Sequence, residues 1–341
     1  MASIMFGEQD QYKRYFYHCF PQWMGASDNT ASPDYDKGIQ ILSQMFKWGL
    51  LLTPEEIIFH GEPYKDEKAA EPIIISQKRL CFTELGEAEL PFHAQVFGPI
   101  ALEFNQQTLR RIGGIPVIYI PQSLSQDPES DCLALTAQTF VYRLFEIYQL
   151  ISDLSDIQEH IKKLPRSESS ITLGSAGGAS HRIYSVEMLR NFLESLTHQR
   201  QSFDQLASAI STLSCFFYPT DAVVPTFPDS TELGRLAYYR EREWRIVSGF
   251  CFAGIPLDEE LCMDAKTEIA GIINNSFSPY ENLCIDGNNF IHNCNIIRRF
   301  GGDHIMNSVH RILVPQEIQQ EVQGTARKYG YKGIIVGYPK V

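Results

Sequence analysis

Two long helical patterns in the middle of the chain set the strongest limit on its fold. Apolar residues recur at three- and four-residue spacing from Asp131 to Lys163 and again from Tyr184 to Leu213. The segment between them, Arg166–Ser180, is rich in glycine, serine and alanine and has few apolar residues to bury, so we expect a flexible loop. Together these segments predict an antiparallel helical pair, which is either a packed insertion or a surface for a protein partner.

The segments on either side of this helical middle alternate strand and helix patterns. YFYHCF (Tyr15–Phe20) and RLCFTEL (Arg79–Leu85) predict strands, and an amphipathic helix between them ends near Gly49. Near the C-terminus, RILVP predicts a strand, Pro315 opens a helix, and GIIVG predicts a further strand.

Strands before and after a helical middle indicate one sheet-containing core with an insertion. We therefore predict an α+β fold in which residues 1–125 and 216–341 form the core. Residues 126–215 form the helical insertion, with its flexible loop at 166–180.

The charge balance bears on the partners of the protein. The 341 residues include 29 basic and 41 acidic side chains, for a formal net charge of −12. Nucleic-acid binding without sequence preference depends on neutralising phosphates with basic side chains, so the net charge does not indicate it. No stretch has the length and apolarity of a membrane span, and the N-terminus lacks the pattern of a secretory signal. We expect a cytoplasmic protein without a membrane partner.

The eight cysteines are scattered, with no C-x-x-C pair, which favours free thiols in a reducing compartment. One segment, CIDGNNFIHNC, brings Cys284, His292 and Cys294 close in sequence. Their spacing does not match the tight ligand pairs of zinc sites, so we expect a polar loop and no metal.

Charge is concentrated in the segment AYYREREWRIVSG (Ala237–Gly249). If this segment is a strand, Tyr239, Glu241, Glu243 and Arg245 share one face, while Trp244 points the other way and anchors the strand in the core. A face with two glutamates two residues apart is either a solvated edge or the wall of a site.

Two other predicted strands also carry polar side chains, Tyr17 and His18 on the first and Thr83, after Phe82, on the second. The chain has no P-loop, no G-x-G-x-x-G and no G-x-S-x-G motif. Candidate chemistry therefore rests on polar side chains of several strands that converge on one site.

The order of several segments resembles the AbiGi family, bacterial abortive-infection proteins tied to phage resistance and usually labelled antitoxins. The resemblance rests on YFYHCF, ILSQMFKWGLLL, RLCFTELGEAELPFHAQVFGPIALEF, LRRIGGIPVIYIP, YYREREWRI, RILVPQEI and YGYKGIIV. It covers both ends of the chain and hardly the helical middle. It implies a phage-defence protein with a protein partner, either a cognate toxin or a subunit of a defence complex.

The layout also resembles, in outline, the ADP-ribosyltransferase superfamily. Those enzymes carry His or Arg on a first strand, a Ser/Thr motif on a second strand and a catalytic Glu late in the chain. The resemblance implies an ADP-ribosyltransferase-like mixed β-sheet core with NAD as its cofactor.

The same resemblance implies a role for each matching residue. Glu243 would stabilise the positive charge that grows as the nicotinamide–ribose bond breaks, and Glu241 would fill the first position of an E-x-E motif. His18 would hold the nicotinamide ribose and Thr83 would brace the site. The other residues assigned to cofactor binding are Tyr17, Phe82, Tyr239 and Arg245.

A carboxylate aimed at the sugar is the natural stabiliser of an oxocarbenium-like transition state. We expect Tyr17, Thr83 and Glu243 to lie on strands of one sheet. The transferase hypothesis also requires His18 and Glu243 to face a common cleft. Three functions stay open: an NAD-dependent ADP-ribosyltransferase or NAD glycohydrolase, a non-enzymatic antitoxin or sensor, and a structural component of a defence complex.

Overall fold

The computed structural model describes eleven segments of the chain. They are residues 15–21, 34–59, 72–120, 132–165, 169–174, 181–196, 203–219, 242–249, 251–252, 255–273 and 287–338. The chain divides into two compact units. Unit 1 comprises Met1–Phe59, Ile74–Tyr119 and Tyr218–Val341, and unit 2 comprises His60–Ile73 and Ile120–Phe217.

Unit 1 is built on a ten-stranded sheet. Its strands are β1 (Tyr15–Phe20), β2 (Leu50–Phe59), β3 (Ile73–Leu85), β4 (Ile100–Phe104), β5 (Ile115–Pro116), β10 (Glu243–Val247), β13 (Glu259–Glu260), β14 (Asn295–Ile297), β17 (Arg311–Pro315) and β18 (Ile334–Tyr338). The order along the sheet is β13-β14-β2-β3-β1-β4-β17-β18, and β10 pairs with both β3 and β5. The β17–β18 pair is parallel, whereas β1 is antiparallel to both β3 and β4, so the sheet is mixed.

Helices and short strands complete unit 1. The helices are α1 (Tyr35–Trp48), α2 (Leu90–Phe97), α3 (Gln106–Arg111), α7 (Met263–Ile273), α8 (Gly287–His292) and α9 (Gln319–Lys328). The short paired strands are β11 (Cys251–Phe252) with β12 (Ile255–Pro256), and β15 (Arg299–Phe300) with β16 (Asp303–His304). One further pair, β6 (Ile118–Ile120) with β9 (Phe217–Pro219), is assigned to neither unit as a whole, because Ile120 and Phe217 belong to unit 2.

Both faces of the central strands are covered, because successive side chains of a strand point to opposite faces. One face contributes Phe16, Phe82 and Leu102 to the largest buried cluster, which also includes Leu42 of α1 and Val322 of α9. The other face contributes residues to a smaller cluster, and its members are Tyr17, Leu85, Leu90, Ala101 and Leu313. Residues one apart in β1 therefore pack into different layers.

The α1 helix begins and ends where its sequence requires. Asp34 accepts a hydrogen bond from the backbone N–H of Lys37 at 2.9 Å, which is an N-cap. Gly49 follows the helix with φ 118°, and a Cβ there would lie 2.2 Å from the carbonyl oxygen of Ile297. Only glycine fits both the conformation and the close approach, so the helix stops there and β2 begins.

Unit 2 contains a long helix, two shorter helices and a β-hairpin. Its elements are α4 (Cys132–Lys163), β7 (Ser170–Gly174), β8 (His181–Ser185), α5 (Val186–Leu196) and α6 (Phe203–Ser214). The α4 helix packs against both α5 and α6. The buried cluster between them includes Ile161, Val186, Leu193 and Phe203.

The middle of the chain differs from the prediction in two places. Part of the segment predicted to be a loop forms β7, which pairs with β8 just after that segment, and Ser170 lies opposite Ser185. The single helix predicted from Tyr184 to Leu213 is instead β8 followed by α5 and α6. The start of α5 is fixed by Ser185, whose hydroxyl accepts a hydrogen bond from the N–H of Met188 at 3.4 Å.

The predicted fold class is confirmed as a mixed sheet with helices, and the ends of β1 match the prediction residue for residue. The strand predicted at Arg79–Leu85 is the second half of a longer strand, β3, which begins at Ile73. Domain boundaries at residues 125 and 215 stay a prediction.

We expect Phe82→Ala to lower the free energy of unfolding by about 3–5 kcal/mol, because it empties a well-packed position. Phe82 is 1% exposed and meets Phe104 edge-on at 5.4 Å between ring centroids. Ile74→Ala is the control, since Ile74 lies on the same strand but is 57% exposed, and it should change stability by about 0.5 kcal/mol or less. Urea unfolding of the three proteins checks this, and equal losses in both variants would contradict it.

Candidate functional site

The strand β10 presents its charged and apolar residues to opposite faces, as the alternation predicts. Trp244 and Ile246 belong to the largest apolar cluster or pack against it, and Trp244 meets Phe16 edge-on at 4.9 Å between ring centroids. Glu243 and Arg245 lie on the other face, where the Arg245 side chain is 1% exposed. The predicted anchoring of β10 by Trp244 is therefore confirmed.

A row of polar residues crosses the sheet on this face. Glu243 lies opposite Thr83, which lies opposite Tyr17, which in turn lies opposite Glu103. Glu103 lies opposite Arg311 of β17. Five neighbouring strands thus contribute one residue each over roughly 19 Å, at about 4.8 Å per strand. The prediction that Tyr17, Thr83 and Glu243 lie on strands of one sheet is confirmed.

His18 does not face the same side as Glu243, so the expectation of a common cleft is wrong. The side chain of His18 lies between the rings of Phe20 and Phe82, at 5.7 and 5.8 Å between centroids. These two phenylalanines belong to the largest apolar cluster, on the face opposite Glu243. Because neighbouring residues of a strand alternate, the register that aligns Tyr17 with Glu243 turns His18 away.

The surroundings of His18 suit a structural imidazole. Its Nδ1 donates to the carbonyl oxygen of Cys81 at 2.9 Å, and this fixes the tautomer because a carbonyl can only accept. Burial lowers the pKa of His18 to about 4, although this hydrogen bond opposes the shift. The ring is therefore neutral at pH 7. Phe82 also points into the apolar cluster, away from the polar row.

Two residues of the predicted site, Tyr239 and Glu241, lie outside the described residues. Their assigned roles stay predictions. The first described residue before β10 is Arg242, which has φ 44° and donates to Glu89 at 3.1 Å.

The Glu243 carboxylate is fully engaged by neighbouring donors. Arg245 donates through Nε to Oε1 at 2.6 Å and through Nη2 to Oε2 at 2.9 Å. The hydroxyl of Tyr119 donates to Oε2 at 2.9 Å. Burial raises the pKa of Glu243, but the charge and hydrogen bonds of Arg245 outweigh it and hold the pKa at about 2. The same pair raises the pKa of Arg245 above its ordinary value, against the effect of burial.

A second ion pair lies beside the first. Arg79 of β3 pairs with Glu55 of β2. The ring of Tyr218 contacts both arginines, with Cζ of Arg245 at 4.1 Å and Cζ of Arg79 at 4.9 Å from its centroid. The hydroxyl of Tyr218 donates to Glu55 at 3.2 Å. We call Glu55, Arg79, Glu243 and Arg245 the four-charge cluster.

Tyr17 belongs to a separate buried network further along the row. Its hydroxyl donates to Glu103 at 2.9 Å, and Glu103 accepts two more hydrogen bonds from Arg311, each 2.7 Å long. Burial and the charge of Glu103 raise the pKa of Tyr17. The hydroxyl of Tyr17 is thus committed to Glu103.

The sequence did not single out Arg79, Glu55, Glu103 or Arg311. A signal was present for Arg79, because Arg79, Cys81 and Thr83 alternate with Leu80 and Phe82 along one strand. That polar face becomes a candidate site because residues of the neighbouring strands bury it. The sequence does not show which strands are neighbours.

The segment from Cys284 to Cys294, where we expect a polar loop and no metal, is only partly described. Cys284 lies outside the described residues, and Cys294 is buried, with its thiol donating to the carbonyl oxygen of Phe290 at 3.4 Å. Across the described segments, no group of three or more His, Cys, Asp or Glu side chains is placed to hold a metal ion.

The chain matches no family model, no curated protein and no solved structure. Among the described helices, none has the length and apolarity needed to cross a membrane.

We expect acid to weaken the fold through Glu243. Because the pKa in the folded state, about 2, lies below the ordinary value of 4.5, the ionised carboxylate stabilises the fold above pH 4.5. This contribution is lost as the pH falls towards 2. Glu243→Gln should remove that part of the pH dependence, and at pH 7 it should destabilise the fold by about 3–5 kcal/mol because Arg245 is left buried and unpaired.

Urea midpoints measured between pH 7 and pH 2 test this prediction. Glu89→Gln is the control, because the Glu89–Arg242 pair is exposed and contributes at most about 1 kcal/mol. Identical pH profiles for the wild type and Glu243→Gln would show that the carboxylate is not held ionised by Arg245.

Proposed function

We propose that this chain is a bacterial phage-defence protein of the AbiGi type that acts by binding, as an antitoxin or sensor, and does not cleave NAD. The order of its strand motifs supports the defence assignment, through their resemblance to that family. The state of the Glu243 carboxylate is the observation that favours binding over catalysis.

A carboxylate that stabilises a growing positive charge must bring negative charge that is not already neutralised. Glu243 accepts two hydrogen bonds from the Arg245 guanidinium and one from Tyr119. The pair is neutral as a whole, so its field at a nearby sugar is much weaker than that of a lone carboxylate. Breaking the pair to release the charge would leave a guanidinium buried at 1% exposure.

Exposed apolar side chains in unit 2 support a protein partner. Large apolar residues with about half or more of their surface exposed are Phe140, Ile147, Leu150, Ile183, Met188, Phe192, Leu196 and Leu213. Met188, Phe192 and Leu196 are four residues apart on α5 and follow one side of the helix. Clusters of this kind mark protein contact surfaces in many soluble proteins, and we assign this one to the cognate toxin.

An NAD-dependent ADP-ribosyltransferase or NAD glycohydrolase is the second candidate. It is favoured by the row in which Tyr17, Thr83 and Glu243 occupy adjacent strands, because residues of one site must lie close together. It is disfavoured by His18, which lies on the opposite face and has no access to a ligand in contact with Glu243.

Purified protein incubated with NAD separates the two candidates. We expect no NAD consumption above background by the wild type or by Glu243→Gln, with thermal melting confirming that both are folded at the assay temperature. Consumption by the wild type that falls a hundredfold or more in Glu243→Gln, corresponding to about 3 kcal/mol of transition-state stabilisation, would establish the transferase instead.

Co-expression with the product of the adjacent gene tests the antitoxin function. That product alone should arrest bacterial growth, and this chain should restore it. Phe192→Ser should abolish the rescue without lowering the melting temperature, because Phe192 is 53% exposed. Leu193→Ala is the contrast, since Leu193 is 2% exposed and its loss should lower the melting temperature. Full rescue by Phe192→Ser would remove α5 from the contact.

A further inference from the structure

Two arginines of the four-charge cluster and a glutamine on the same strand face have buried polar atoms without hydrogen-bond partners among the described residues. The atoms are Nη1 of Arg79, Nη1 of Arg245, and both Oε1 and Nε2 of Gln77. The three residues are 8%, 1% and 4% exposed. Buried polar groups in native proteins are almost always paired, so several unpaired groups in one place indicate a missing partner.

The three side chains lie on one face of two paired strands. Gln77 and Arg79 are two residues apart on β3 and therefore point to the same side. Arg245 lies opposite Cys81, the next residue of β3 on that face. The contacts of both guanidinium groups with the single ring of Tyr218 keep them close together.

Each arginine pairs with a carboxylate through some of its guanidinium nitrogens and has another nitrogen without a partner. Arg245 binds Glu243 through Nε and Nη2, and Arg79 pairs with Glu55 through Nη2. In both residues Nη1 is the atom without a partner in the described part of the chain.

The Glu103–Arg311 network on the same sheet face provides an internal comparison. Arg311 also binds a carboxylate through two nitrogens, and its Nη2 additionally donates to Glu87 at 3.0 Å. Within the described residues, no buried atom of Tyr17, Glu103 or Arg311 lacks a partner. Two similar networks on one face therefore differ, because only the one around Glu243 has buried polar atoms without partners in the described part of the chain.

We infer that Gln77, Arg79 and Arg245 form a binding site for a phosphate group. Two guanidinium Nη1 atoms and the Gln77 amide nitrogen require acceptors, which phosphate oxygens supply. The Gln77 carbonyl oxygen requires a donor, and a phosphate that retains one proton supplies a P–OH group. Glu55, with its side chain 28% exposed, lies at the solvent side of the cluster. The ligand is free phosphate, which carries at least one proton near neutral pH, or a phosphate monoester bound as its singly protonated form, which is the minor form at pH 7.

Thermal melting in phosphate-free buffer, with inorganic phosphate, sulfate or chloride added at equal ionic strength, tests the inference. Phosphate should raise the melting temperature with a saturable dependence on concentration. Sulfate should bind at least tenfold more weakly, because it carries no proton at neutral pH to donate to Gln77. A nucleoside monophosphate that binds more tightly than inorganic phosphate identifies a monoester as the ligand, and weaker binding identifies free phosphate.

Gln77→Leu is the informative variant, because it removes both amide atoms at similar volume and leaves the two ion pairs intact. It should bind phosphate about tenfold more weakly and lose the preference over sulfate, while melting at the same or a higher temperature without ligand. Arg79→Lys should weaken binding further through loss of Nη1. Gln106→Leu, at an exposed position of α3, should behave as the wild type.

Two results would overturn the site. One is equal stabilisation of the wild type by phosphate and sulfate, which is a general effect of such anions on folded proteins. The other is phosphate affinity that is unchanged in Gln77→Leu. Neither result bears on NAD cleavage or on rescue of growth, so the phosphate site and the proposed function fail separately.

Discussion

The buried ion pair between Glu243 and Arg245 is the interaction on which this face of the sheet depends. Both charges have left water, and each is tolerable only because the other is within hydrogen-bond distance. The pair is held in place from behind by Trp244, whose ring packs against Phe16 in the largest apolar cluster. An apolar anchor on one face of β10 thus positions a charged pair on the other.

Paired charges also help to fix how the strands align. A slip of one residue between β10 and β3 would turn Glu243 and Arg245 into the apolar cluster and bring Trp244 and Ile246 to the polar face. The Glu103–Arg311 pair imposes the same condition on β4 and β17. Apolar residues alone would define the register less sharply at β1, where aromatic side chains lie on both faces.

The aromatic character of β1 explains which part of the site the sequence could predict. The existence and ends of β1 and the direction of Trp244 follow from patterns within single strands. The face of His18 depends on how β1 is aligned with its neighbours, and YFYHCF does not distinguish its two faces by polarity. Glu55, which pairs with Arg79, lies 188 residues from Glu243 in sequence, and Arg311, which pairs with Glu103, lies 68 residues from it. Only the pairing of strands in the sheet brings these ion pairs to the face that carries Glu243.

The two ion-pair networks of the polar row differ in whether their buried polar atoms all have partners. Around Glu103, the donors of Tyr17 and Arg311 match the acceptors of one carboxylate, so the network is closed and stabilises the sheet without needing a ligand. Around Glu243, the carboxylates satisfy only part of the two guanidinium groups, and the Gln77 amide adds further unpaired atoms in the described part of the chain. An apolar sheet face would be more stable than such an incomplete network. We therefore attribute the incomplete network to the proposed phosphate site, in which the ligand supplies acceptors for the unpaired donors.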